Sequence, residues 1–487
     1  MGLPTLRLRI LHSNDIHSHF EQMPNIAAAF KELRASAGGE HTLTLDIGDH
    51  MDRVRTETEG SSGEANLDIM NETGYDAIAI GNNEGLTLSQ ETLSKLYGSQ
   101  ARFKVLCSNL LDAASGDFPQ WGTPYHIIEK SGIKIGLIGV TAYFPDFYQL
   151  LGWDIREPVS ITADLVRMLR PRVDLIVVLS HLGLRSDQRM ADEIQGIDLI
   201  LGGHTHHLLE EPVQIGDTYV CAAGKFGQYF GIVDIEFDAA THRRMSVHAG
   251  IREAATYPAD EHIAMLVHKY KSSSVKVLSQ QVAYLERPLT SDWYDESPLG
   301  NLLAAGIRRG TGAELALVNA GQLLEGLEEG AVTAGRLLEI CPSPINTCRM
   351  LLTGGQIWKA LEESRIQEFM MKPLLGYGFR GKVLGTLNMD GMRVEYDPTA
   401  PAYSKILHVW VGDEPLDPLK EYVVGTIDMF TFGIGFLTLS EGNGVEYFLP
   451  NFIRDIIREE LQIPEAIEAS KVRRWMACDT NGSNKNQ

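Results

Sequence analysis

The sequence predicts a layered α/β domain in its first half and a second α/β domain after it, on three observations. Over roughly the first 240 residues, short β-branched or apolar runs alternate with helix-like stretches, as strands separated by helices do. At 487 residues the chain is too long for a single hydrophobic core. Around residues 255–285 the character changes, and a new series of strands and helices begins.

The predicted strands of the first domain are Leu6–Leu11, Thr42–Leu45, Ala77–Ile80, Phe103–Cys107, Ile135–Val140, Leu175–Leu179 and Asp198–Leu201. Helical stretches such as Pro24–Ser36 and Ile161–Leu169 separate several of them. Thr218–Ala223 and Gly231–Phe237 have no helix between them and read as antiparallel strands closing the sheet. Pro258–Gln281, with Ile263, Met265, Leu266, His268 and Tyr270, reads as a linker helix that would let two domains move. Beyond it, Asn301–Arg309 and Gln356–Glu363 are helical candidates, and Leu315–Val318, Met350–Leu352 and Tyr422–Thr426 are strand candidates. The expected organisation is a first domain at 1–257, the linker at 258–285, a second domain at 286–478 and a polar, disordered tail at 479–487.

Composition narrows the function classes. Hydrophobic residues at 44% and charged residues at 22% are ordinary for a globular protein. The net charge of −21 is spread along the chain, which argues against nucleic-acid polymers and anionic membranes as partners. A small anionic substrate would then need local positive charge, for which bound metal ions are an economical source. No apolar run reaches the length of about 18 residues that a membrane span needs. The segment Met1–Ile10 alternates like a strand and has no signal-peptide core. Five scattered cysteines, Cys107, Cys221, Cys341, Cys348 and Cys478, read as the reduced thiols of a cytoplasmic protein.

The chemistry lies just beyond the strands. His12-Ser13-Asn14-Asp15-Ile16-His17 succeeds the first, Asp46-Ile47-Gly48-Asp49 the second, and Gly81-Asn82-Asn83-Glu84 the third. Leu175–Leu179 leads into Ser180-His181, and Asp198–Leu201 into Gly202-Gly203-His204-Thr205-His206. Carboxylate, amide and imidazole side chains are thus delivered to the carboxyl ends of strands, where α/β sheets bind ligands, and these are metal-ligand types. In an extended segment, residues two apart face one side, so Asp15 and His17 would point at one ion, and His204 and His206 would repeat that geometry. Gly48, Gly81, Gly202 and Gly203 would permit tight turns close to a metal or phosphate. Taken singly, each piece also reads as a turn or a buried structural histidine; unrelated turns rarely reproduce the ordered set.

That ordered set, Asn14-Asp15-x-His17, Gly48-Asp49, Gly81-Asn82, His181 and Gly203-His204-x-His206, resembles the calcineurin-like metallophosphoesterases. Ser13–Phe20 is similar to the 5′-nucleotidase branch, which includes UDP-sugar hydrolases and 2′,3′-cyclic phosphodiesterases. Glu296–Asn301, Val318–Gly321 and Leu351–Gln356 resemble that branch's C-terminal domain. The resemblance implies an αββα-layered catalytic domain and a C-terminal 5′-nucleotidase-type substrate-binding domain, with the substrate held between them. It also implies two divalent ions, with Mn2+, Co2+, Fe2+ and Zn2+ all suited to the mixed ligands. Asp15, His17 and His206 would hold one, Asn82, His181 and His204 the other, and Asp49 would bridge. A hydroxide shared by the ions would attack phosphorus in line.

Several positions depart from the family pattern. Asn83 stands where the branch carries a histidine that assists the leaving group, and Leu86 where it carries an aspartate. An amide cannot shuttle a proton, although it can donate a hydrogen bond to a phosphate oxygen. His19 and His207 are possible substitutes. In the second domain, Asn319-Ala320-Gly321-Gln322-Leu323-Leu324 lacks the family's nucleotide-contacting arginine, and Pro342-Ser343 lacks one of two base-stacking rings. Asn319, Phe430 and Phe436, with Phe432 nearby, are the candidate substrate contacts. The leading expectation is a hydrolase of nucleotides or related phosphate esters. The alternatives are a phosphodiesterase or pyrophosphohydrolase acting on cyclic nucleotides or nucleotide sugars, and a metal-retaining nucleotide-binding protein with weak catalysis.

Overall fold

The structure, a computed structural model, describes residues 5–374, 376 and 378–478. The tail expected at 479–487 lies outside the described residues. The chain divides into two compact units, Met1–Val277 and Leu278–Gln487.

Five strands of the first unit carry the residues of interest: β1 (Thr5–Ser13), β2 (Thr42–Asp46), β3 (Ala77–Ala79), β4 (Leu175–His181) and β5 (Leu199–Gly202). They lie in two sheets. In the first, seven strands run in the order Arg244–Glu253, Tyr229–Asp238, β1, β2, β3, Lys104–Leu106 and Gly122–Thr123. The second has six, in the order Val213–Ile215, Thr218–Cys221, β5, β4, Ile133–Thr141 and Tyr125–Lys130. β1, β2 and β3 are parallel to one another, as are β4 and β5, so in each sheet these carboxyl ends share one rim.

Alternation along the strands explains the layering. Leu8 and Ile10 of β1, Leu43 and Leu45 of β2, and Ala77 and Ala79 of β3 meet Leu175, Val177 and Leu179 of β4 and Leu199 and Leu201 of β5 in one core between the sheets. The intervening residues of β4 and β5, Ile176, Val178 and Ile200, pack outward with Val159, Val166 and Leu169 of helix Pro158–Leu169 and Met190 of helix Leu184–Glu193. The outer face of the first sheet is covered by helices such as Met23–Ala37, through Ile26 and Phe30. Strands buried on both faces read as continuous apolar runs, which is why the sequence marks them so plainly.

Thr218–Ala223 and Gly231–Phe237 do not close one sheet together. Thr218–Cys221 pairs parallel with β5 in the second sheet, whereas Tyr229–Asp238 pairs antiparallel with β1 in the first. A loop that changes sheets leaves the same sequence pattern as a hairpin, so periodicity could not separate them. The helix expected at Pro258–Gln281 runs from Glu261 to Leu278 and is docked on the first unit. Ile263, Tyr270 and Ser274 are buried, Tyr270 donates to Asp68, and Ser274 Oγ donates to the Glu57 carbonyl at 3.1 Å.

The second unit holds a five-stranded sheet in the order Leu387–Asp390, Leu315–Asn319, Glu421–Ile427, Asn346–Thr353 and Asn443–Phe452. A four-stranded sheet contains Met392–Tyr396 and Trp475–Ala477. Its sequence signatures turn out to be architectural. Ser297 caps helix Pro298–Thr311 by accepting from Gly300 N, and Glu296 accepts from Asn301 Nδ2 and from the backbone of Arg474 and Trp475. Thr353 and Gln356 form a reciprocal capping box for helix Gly354–Ser364. Among the described residues, all five cysteines are free thiols, and no helix is long and apolar enough to cross a membrane.

The two sheets are in tight contact where strand Ile133–Thr141 passes Lys104–Leu106: a Cβ on Gly139 would lie 2.4 Å from Leu106 Cβ. Gly139→Val should therefore overpack the core, cost about 2 kcal/mol or more, and lower the first unit's melting temperature by several degrees in calorimetry. An unchanged transition would show that the sheets can separate without penalty.

Candidate metal centre

The loops at the carboxyl ends of β1, β2 and β5 contain left-handed residues. Asp15, His17, Asp49, His204 and His206 have φ values of 51°, 48°, 50°, 71° and 58°, all left-handed. Ser18 and Phe226 beside them share it, at 55° and 61°. Non-glycine residues in this region cost about 1–3 kcal/mol each and cluster where surrounding contacts over-determine them. The convergence of Asp15 with His17 thus comes from consecutive left-handed turns rather than from extended alternation. For the same reason His204 and His206 do not share a face: each joins a different cluster.

Asp15, His17 and His206 form one cluster, and Asp49, His181 and His204 form the other; within each, one potential ligand atom per residue lies within 4.8 Å of the rest. His17 Nε2 is 3.1 Å from His206 Nε2 and 3.8 Å from Asp15 Oδ1, and His206 Nε2 is 3.5 Å from Asp15 Oδ1. Asp49 Oδ2 stands between the clusters, 3.3 Å from His181 Nε2 and 3.7 Å from His17 Nε2. Asn82 presents a buried Oδ1 with no hydrogen-bond partner, and His181 Nε2 is likewise buried without one.

Hydrogen bonds fix which atoms face inward. His181 Nδ1 lies 2.9 Å from the Ile47 carbonyl and donates to it, which turns Nε2 toward Asp49. His17 Nδ1 lies 3.2 Å from Asp52 Oδ2, so its Nε2 is similarly directed inward. Asp15 is oriented by Asn14 Nδ2 at 2.7 Å and by His204 N at 3.0 Å. Asp49 Oδ1 accepts from Asn83 N at 2.8 Å, which frees Oδ2 for the interior. Buried Glu84 accepts from the backbone of Asp49, Met51 and Gly81, tying the loops after β2 and β3 together.

Glycine matters at this rim mostly for space. Gly48 has a φ of 91°, and a Cβ there would meet Gly81 N at 2.4 Å. Gly81 needs no unusual φ, but a Cβ on it would lie 2.0 Å from Asp49 Oδ1. Gly203 is similar, with His181 Nδ1 at 3.0 Å and Asp15 Oδ2 at 3.1 Å from such an atom. Of the four glycines expected to make tight turns, Gly48 alone has the left-handed backbone.

The electrostatics record the same convergence. Burial opposes ionisation of the Asp49 carboxyl, yet His181 and His17 hold it well below the usual range. His181 is pushed up to about 10: burial works against its charge, and Asp49 and Asp15 outweigh burial. His204 is lowered to about 4 by burial and by neighbouring His181. Glu84 is raised to about 7 by burial and by the charge of Asp49. Acceptor atoms packed this closely repel one another unless protons or cations lie among them. Carboxylate, imidazole and an orphaned amide oxygen together form a donor set fit for divalent transition-metal ions.

The remaining candidates are placed differently. Asn83 is half-buried, with Nδ2 donating to Met51 O at 3.2 Å and lying 3.0 Å from His17 Nδ1. His19 stacks on Phe226 at a centroid distance of 3.9 Å, and Phe226 in turn abuts His17 and His206. His207 is exposed and bonded to Thr205 Oγ1. In the second unit Asn319 is buried, donating to Leu384 O and accepting from Gln322 Nε2. Phe430 and Phe436 are fully buried in that unit's core, 6.0 Å apart, and Phe369 stacks on Phe436; of the three rings considered, Phe432 is the exposed one. Sequence reasoning missed Asp52, Glu84 and Phe226. Glu84 was the findable one, as the N3 acid of a helix beginning at Asn82.

Comparison with known proteins agrees with this picture. The calcineurin-like phosphoesterase family pattern matches residues 8–208, and that of the 5′-nucleotidase C-terminal domain matches residues 275–441. The chain is 36% identical over 460 residues to the uncharacterized metallophosphoesterase YunD of Bacillus subtilis, spanning 93% of this chain and 99% of that protein. It is 26% identical over 406 residues to the 5′-nucleotidase of Vibrio cholerae, spanning 69% and 72% of the two chains. The NAD nucleotidase of Haemophilus influenzae superposes over 98% of both chains with a TM-score of 0.68 at 18% identity, a likeness of fold. The 5′-nucleotidase precursor of Thermus thermophilus superposes over 97% of this chain and 99% of its own with a TM-score of 0.59 at 24% identity. The chain thus belongs to the calcineurin-like metallophosphoesterase family, in the branch with a 5′-nucleotidase C-terminal domain, and is a metal-dependent phosphoester hydrolase.

Proposed function

We propose that the substrates are nucleotides or closely related phosphate esters, hydrolysed at a two-metal centre in the first unit. Asp15, His17 and His206 would hold one ion and Asn82, His181 and His204 the other, with Asp49 placed to serve both. The observation that carries this reading is the position of Asp49 Oδ2, within 4 Å of an inward-facing imidazole nitrogen of each cluster. Two bound divalent ions would supply Lewis acidity and an activated water.

The protein's own part is orientation. Asp52 and the Ile47 carbonyl keep the Nε2 atoms of His17 and His181 aimed inward. The Asn83 and His204 backbone amides fix the carboxylates of Asp49 and Asp15. Mn2+ is the first ion to test, and the free cysteines fit a reducing, cytoplasmic setting. Asn83 has no proton to give a leaving alkoxide, which favours a second reading in which diesters or pyrophosphates with better leaving groups are the preferred substrates.

Phosphate release from a nucleotide panel with Mn2+ tests the proposal. Asp49→Asn should abolish turnover, by at least 10³-fold in order of magnitude, with the circular dichroism spectrum intact. Activity that survives this substitution would place the chemistry elsewhere. Asn83→His should raise kcat on AMP by roughly tenfold or more, and raise it less on bis(p-nitrophenyl) phosphate, whose leaving group needs no proton. Equal effects on both would show that protonation of the leaving group is not what Asn83 limits.

A further inference from the structure

A cavity of about 290 Å3 opens beside His204, on the side of the metal centre formed by helix Leu184–Glu193 and the loop after strand Ile133–Thr141. Tyr143, Phe144, Pro158, Ser186, Arg189 and Glu157 line it. None of them belongs to the proposed ligand set. The ring of Phe144 is 6.1 Å from that of His204, which is 5.3 Å from His181, so the cavity adjoins the second ligand cluster directly.

The lining specifies an occupant. Phe144 is half-buried, and Tyr143 is 46% exposed, so two aromatic side chains border the space. Flat rings gain from stacking against such walls. The Ser186 and Tyr143 hydroxyls can exchange hydrogen bonds with ring nitrogens or exocyclic groups. Charge argues against a second anion: Arg189 is already paired with Glu193 at 2.7 Å, and Glu157 contributes a further carboxylate. Among the lining residues Arg189 and Glu157 balance, and with Arg189 held by Glu193 the wall offers no unpaired cation to a second phosphate. A volume near the lower end for small-molecule sites admits one ring system rather than a dinucleotide.

We propose that this cavity receives the uncharged heterocycle of a nucleotide whose phosphate lies at the metal centre, with Tyr143 and Phe144 as specificity-determining residues. The inference rests on the nucleotide reading above and deepens it by assigning base recognition to the catalytic unit itself.

AMP and ribose 5-phosphate test it, since they share the reacting phosphate and leaving alkoxide and differ at C1′, where AMP carries adenine and ribose 5-phosphate a hydroxyl. Wild-type enzyme should favour AMP in kcat/KM by tenfold or more. Tyr143→Ala, which removes an exposed side chain, should reduce that ratio at least fivefold, mainly through KM. Ser186→Trp, which fills the cavity, should bring the ratio close to one. A ratio within twofold of wild type in both variants would place the base elsewhere and overturn the inference while leaving the hydrolase reading intact. A wild-type enzyme that turns over neither compound would overturn both.

Discussion

The structure depends on a concentration of electron-pair donors at one rim. The inward-facing nitrogens of His17 and His181 and the carboxylates of Asp15 and Asp49 converge there, each within 4 Å of another. The opposite nitrogens of both imidazoles are already committed to hydrogen bonds. In a chain of net charge −21, such an arrangement is repulsive on its own account. Asp49 and Asp15 raise His181 and the two histidines depress Asp49, so the rim favours positive charge among its donors. A divalent cation satisfies the same demand more completely than a proton, because one ion can accept several lone pairs at once.

Holding that arrangement requires a rigid frame. The left-handed turns at Asp15, His17, Asp49, His204 and His206 are tolerated because bonds between the two sheets fix them. His181 donates to Ile47 O, and His204 N donates to Asp15, each crossing from one sheet to the other. Glu84 links the loops after β2 and β3 through three backbone bonds. The interdigitated core beneath keeps the five strand ends in register, so the strain is borne by a surface that cannot relax independently.

Much of this was legible in the chain. Doubly buried strands announce themselves as apolar runs, and polar clusters just beyond them mark the rim. The membership of the two clusters came from family resemblance rather than from local geometry: alternation in an extended segment would have put His204 with His206. Backbone handedness is invisible in residue identities, since aspartate and histidine enter left-handed turns without a glycine to advertise them. The sheet change between Thr218–Cys221 and Tyr229–Asp238 was hidden for a related reason, because pairing partners are chosen by tertiary packing. In the second unit, aromatic residues near Gly433 and Gly435 suit a core more often than a ligand clamp, and burial places Phe430 and Phe436 in the core.

The central claim is that Asp49 joins two cation sites, and anomalous diffraction from crystals grown with Mn2+ tests it most directly. Two peaks are expected roughly 3.5–4 Å apart, one against Asp15, His17 and His206 and the other against Asn82, His181 and His204, with Asp49 in contact with both. A single peak, or peaks away from these seven side chains, would contradict it.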